Sequence, residues 1–184
     1  MALTLIKEDG TGKADANSYA SVADGDSYHD GHLYASAWIA ASADQKAIAL
    51  AMASRLVDAE YQFNGVRAVD SQALQWPRLN CLDPDKAPFP VLTSLLLADP
   101  FVSTSIVPKA LVLATCEMAR ELLVADRTAS PPGEGLKYYN DSGKQTGYDK
   151  KDTRPVISPV AQALLAKFGS LVKSGSGAVR LVRA

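Results

Sequence analysis

Histidine and cysteine are almost missing from this chain: its 184 residues hold two of each. His29 and His32 stand one helical turn apart beside Asp26 and Asp30, but no third histidine exists to close a metal site. All four are placed on a solvated helix face, and no metal is expected. Cys81 and Cys116 have no paired spacing, so neither a disulfide framework nor a structural zinc site is expected. Cys116 lies in an apolar helical pattern and reads as a buried thiol. No run approaches the roughly 18 apolar residues of a bilayer span. The N-terminus lacks the basic start and apolar centre of a signal peptide, so a product made in the cytoplasm is expected. No nucleophile elbow surrounds a serine. Gly10-Thr11-Gly12-Lys13 is too short for a phosphate loop and follows no strong strand. Asp83 with Asp85, or Glu117 with Glu121, could be drawn as acid–base pairs, yet exposed surfaces are their simpler home. The chain reads as a non-enzyme, with no catalytic residue and no cofactor.

Excess charge is missing too, the formal net being −1, but its distribution is uneven. Residues 1–60 carry four Lys/Arg against nine Asp/Glu, and residues 61–126 five against seven. Residues 127–184 reverse this, with ten against four. Opposite charge at the two ends suits packing between neighbouring copies. It does not supply the dense basic face of a nucleic-acid binder.

What is present is mostly helical pattern. Residues 1–20 read as an N-terminal arm, with a turn at Asp15-Ala16-Asn17-Ser18-Tyr19. Ser21 with Asp24 is an imperfect capping box for a helix over 22–40, with Val22, Tyr28, Leu33 and Trp38 facing inward. Ser42 with Gln45 is a better box for a helix over 43–60, where Ile48, Met52, Leu56 and Ala59 form the inward face. Six prolines between 77 and 108 forbid a long element, though a short helix near 91–98 fits. Pro108 opens the strongest helix, over 108–126, with Leu111, Thr115, Met118 and Leu122 on its inward face. Residues 127–157 read as a projecting loop with a hairpin turn at 140–143. Ser158-Pro159 starts a last helix ending at Gly169, which buries Val160, Leu164, Leu165 and Phe168. A Ser/Gly linker over 174–177 precedes a short tail, Val179-Arg180-Leu181-Val182-Arg183.

The expected fold is mostly α: a small four- to five-helix bundle with a projecting loop or β-hairpin and an extended C-terminal tail. Residues 21–169 would be the helical domain and 170–184 the linker and docking tail. Gln72 to Trp76-Pro77-Arg78 combines tryptophan and arginine, which are enriched at interfaces. Trp76 and Arg78 are equally suited to capping a core. Tyr138, Tyr139 and Tyr148 fall among lysines and are candidates for inter-subunit contact.

Taken in order, these segments resemble a family of small bacteriophage proteins. The carrying motifs are Asp15-Ala16-Asn17-Ser18-Tyr19, Arg55-Leu56-Val57-Asp58, Phe63-Asn64-Gly65-Val66-Arg67, Gln72 to Arg78, the helix at 108–124 and the Val179–Arg183 ending. Its members are labelled head–tail connectors, or DnaT-like single-stranded-DNA-binding proteins. The resemblance implies a virion adaptor that forms a ring of twelve copies between portal and tail, lining the DNA channel. The partners implied are the portal, a tail, stopper or tail-terminator protein, and other copies, with DNA a non-specific passenger and no membrane. Residues 179–183 would dock on the portal. Single-stranded DNA binding is the alternative, supported by Lys137, Lys144, Lys150 and Lys151 around the three tyrosines.

Overall fold

A computed structural model describes residues 3–86, 100–129, 138–141, 144–147 and 155–172. The expected short helix at 91–98, Tyr148 and the tail residues Val179, Arg180, Leu181, Val182 and Arg183 lie outside them. Five helices are described: α1 (Val22–Asp30), α2 (Ser36–Ala40), α3 (Ala43–Glu60), α4 (Lys109–Val124) and α5 (Pro159–Leu165). Six short strands accompany them: β1 (Tyr61–Phe63), β2 (Val66–Arg67), β3 (Arg78–Leu79), β4 (Tyr138–Asp141), β5 (Lys144–Gly147) and β6 (Gly169–Leu171). They pair antiparallel as β1–β6, β2–β3 and β4–β5. The expectation of a mostly α bundle is thereby corrected. Helices of nine, five and seven residues are too short to pack along their length. Extended segments between them close the core instead. None of the described helices is long and apolar enough to cross a membrane.

Both capping boxes form completely. Ser21 and Ser42 each accept from the backbone N–H three residues on, and Asp24 and Gln45 reciprocate. The first helix nevertheless stops at Asp30 instead of running to 40, because Gly31 ends it and the chain folds back. This return presses Trp38 onto Gly25, where a Cβ would come within 2.3 Å of the indole ring. Trp38 is buried as expected, while Leu33, expected inside, is 86% exposed.

α3 keeps its expected limits but not its expected face. Ala47, Leu50, Ala51, Ala53, Ser54 and Val57 are buried, whereas Ile48 is exposed. Small side chains let α4 approach closely, and a search for large apolar residues at helical spacing overlooks them. α4 is the central helix, burying Leu111, Ala114, Thr115, Cys116, Met118 and Ala119. Leu122 is only partly buried against the core.

The chain's edges are more integrated than expected. Residues 3–20 do not stand off as an arm: Glu8, Ala16, Ser18, Tyr19 and Ala20 are buried. The expected loop 127–157 is tied to the body at both ends, since Arg127 donates to the carbonyls of Pro155 and Val156 and Ile157 is core. The hairpin exists, with Asp141 opposite Lys144. The last helix ends early at Leu165 and leaves Val160 exposed. Gly169–Leu171 then turns into β6, and Val172 donates to the Glu60 carbonyl at 2.7 Å, so the body extends through residue 172.

Burial ranks the positions on α4. We expect Met118→Ala, at a fully buried site, to cost about 2–5 kcal/mol in chemical denaturation. Leu122→Ala should cost clearly less, and equal losses would contradict this ranking.

Candidate functional site

Three of the motifs singled out in the sequence meet at one buried place. Tyr19 is fully buried, and its hydroxyl donates to Asp58 of α3 while accepting from the backbone N–H groups of Gln75 (3.0 Å) and Trp76 (3.3 Å). Asp58 takes a second bond from the Gln75 N–H at 3.0 Å. Ser54, one turn earlier, accepts from the Tyr19 N–H at 3.0 Å.

The segment beyond is stapled from within. Gln72 is buried, donates to the carbonyls of Leu74 (2.7 Å) and Pro77 (3.1 Å), and accepts from Val69 N–H. The Trp76–Pro77 peptide is cis. Trp76 and Arg78, open in the sequence to an interface or a core role, are both inside. Trp76 is fully buried, edge-on to Phe63 and Phe168 at 5.9 Å each. Arg78 spends its guanidinium on the carbonyls of Phe63, Asn64, Gly65 and Gln75 and on the Gln75 side chain. Gly65 has a positive φ, and a Cβ there would lie 2.1 Å from the Leu79 carbonyl oxygen. A neighbouring copy would find neither ring nor guanidinium at the surface.

The glycine loop is also occupied from inside. Glu8, fully buried, accepts from the N–H groups of Gly10 and Gly12 at 2.9 Å and of Lys13 at 2.8 Å. A carboxylate of the chain itself fills the place a phosphate would need.

The histidine region departs most from expectation. His29 is not on a solvated face. It is buried against Trp38, its Nε2 lies 3.2 Å from the Cys116 carbonyl, and its Nδ1 has no partner among the described residues. Burial lowers its pKa. Glu117, expected on a surface, is buried beside it and held by Arg120 at 2.6 Å, with His32 3.8 Å away. Glu121 joins Arg120 and Arg127. The arginine pairs lie within α4 and between α4 and Arg127, and no group of three or more metal-ligating side chains gathers among the described residues. Burial pushes the Cys116 thiol up to about 12, which makes it inert. Asp83 and Asp85 are surface residues paired with Lys86 and Lys167.

Of the remaining candidates, Tyr138 and Tyr139 sit in β4 opposite Gly147 and Thr146. Sequence reasoning missed Glu8, Gln72 and Tyr19 as buried organisers, since a single buried polar residue leaves no periodic signal.

Comparison with known families now has a structural frame. The chain belongs to the family described as "Putative DnaT-like ssDNA binding protein", which matches residues 3–184. That description names the alternative of the sequence reading, not the phage adaptor. No curated protein and no solved structure matches the chain.

The hub makes a pH-dependent prediction. Burial raises Asp58 to about 6, against the bonds from Tyr19 and Gln75 that lower it. The folded state therefore favours the protonated acid. That contribution is complete below pH 4 and is lost as the pH rises through 6. Relative to Asp58→Asn, the native chain should lose about 2 kcal/mol between pH 4 and 7, read by denaturant titration at each pH. Parallel curves would refute it. Tyr19→Phe should cost about 1–3 kcal/mol at either pH.

Proposed function

We propose that this chain is a non-catalytic subunit that binds single-stranded DNA through residues 137–151, with the helical body as scaffold. Family membership over nearly the whole chain supports the ligand. The body's own composition limits where it can bind. The large aromatic rings of the motifs, Tyr19, Trp38, Tyr61, Phe63 and Trp76, are core. Residues 1–126 are acidic in balance, with nine Lys/Arg against sixteen Asp/Glu. A single-strand site needs positive charge interleaved with stacking rings. Residues 137–151 supply four lysines and three tyrosines, around the hairpin of β4 and β5.

A second reading has its own support. The resemblance to phage head–tail connectors covers most of the chain, and Leu33, Tyr34 and Ile39 stand exposed as they would on an assembly subunit. In that reading Tyr138, Tyr139 and Tyr148 meet neighbouring copies, residues 179–183 meet the portal, and DNA only passes through.

Fluorescence anisotropy with an oligothymidylate separates the two. Direct binding should appear at low salt and weaken with a log–log slope of about −2 to −3 for four lysines on a single strand. It should vanish when Lys137, Lys144, Lys150 and Lys151 are changed to Ala. No binding at low salt overturns the first reading. A monomer that enters a ring only in the presence of portal would then establish the second.

A further inference from the structure

Among the described residues, the three most exposed large apolar side chains fall in one short stretch. Leu33, Tyr34 and Ile39, all within the turn and short helix that follow α1, are 86%, 72% and 73% exposed. Trp38, between them in sequence, is buried, so the α2 segment is anchored by it while these residues stay exposed. Their surroundings are acidic. Residues 22–48 carry four aspartates and one lysine. Lys7 and Lys46 neutralise Asp24 and Asp26, but Asp30 and Asp44, which flank the patch in sequence and are exposed, form no ion pair among the described residues. An apolar patch between unpaired acids calls for an apolar segment that carries positive charge.

The chain contains such a segment: residues 178–184 read Ala-Val-Arg-Leu-Val-Arg-Ala. We propose that residues 178–184 of a second copy of this chain seat on the patch of Leu33, Tyr34 and Ile39. Val179, Leu181 and Val182 cover the apolar side chains, and Arg180 and Arg183 meet Asp30 and Asp44.

Chain length decides between the chain's own tail and a neighbour's. Val172 is fixed to Glu60, at the C-terminal end of α3. The patch lies at the other end of that helix, where Lys46 sits 5.2 Å from the Trp38 ring. Lys46 and Glu60 are separated by about 21 Å at 1.5 Å per residue. Residues 173–177 reach about 21 Å only when drawn out straight, and a Ser/Gly-rich linker of this length typically spans about 13 Å. A neighbour's tail meets no such limit. Patch against patch is disfavoured because it would bring like charges together. The contact is therefore head-to-tail, and repetition of it closes a ring or grows a filament.

The test uses the full-length chain in sedimentation velocity over a concentration series. The native protein should associate, and less so at high salt. Leu33→Ser/Tyr34→Ser/Ile39→Ser and Arg180→Glu/Arg183→Glu should each be monomeric alone, with native melting curves. Mixed, they should form a 1:1 dimer and nothing larger, because one keeps its tail and the other its patch. If the triple change unfolds the chain, Tyr34→Ser alone replaces it. The proposal falls if the native chain stays monomeric throughout, if either variant associates as the native chain does, or if the mixture stays monomeric while the native chain associates.

Discussion

A phenol and a carboxyl group hold this molecule together. The Tyr19 hydroxyl, sealed from water, donates to Asp58 and accepts from two backbone N–H groups of the segment that carries Trp76. Through that atom the N-terminal segment, α3 and the proline-rich connection become one object. Everything nearby is arranged on the assumption that it is in place. The backbone N–H groups of Gln75 and Trp76 find their acceptors here, and Arg78 then ties the carbonyls of the β1–β2 turn to the same segment. The cost is a carboxyl kept largely from water. Such buried polar networks are strong only when every member is satisfied, and removing one member exposes the rest to the full desolvation penalty.

Helix ends were legible in the sequence because capping is local chemistry. Ser21, Asp24, Ser42 and Gln45 act within one turn, and the bounds of α3 follow from them. Helix faces were less legible. α3 packs on alanines and a serine, which carry little hydrophobic weight, so the larger Ile48 drew the reading toward solvent. The fold-back after Gly31 was hidden for a related reason: the signal is Gly25, whose missing side chain is needed only because Trp38 returns to it. Long-range polar burial was least legible of all. Nothing in the spacing of His29 or Glu117 announces that partners dozens of residues away will enclose them.

The buried hub and the basic C-terminal third lie in different parts of the chain. Tyr19, Asp58, Gln72, Trp76 and Arg78 build an interior, not a surface that could meet a partner. Recognition is left to what lies outside the hub. In the readings proposed above, single-stranded DNA would be met by the basic C-terminal third, and protein by the apolar α2 segment.

Arg127 has a consequence of another kind. By donating to the carbonyls of residues 155 and 156, it joins the two ends of the connection between α4 and α5. The two ends of that connection are thereby held together whatever its length. Each doubling of a closed loop's length costs only about 0.6 kcal/mol. Residues 128–154 can therefore lengthen, shorten or exchange sequence with little thermodynamic penalty to the core. The clasp makes this a region whose length can change at small cost, and where a new binding specificity could be grafted without redesigning the fold.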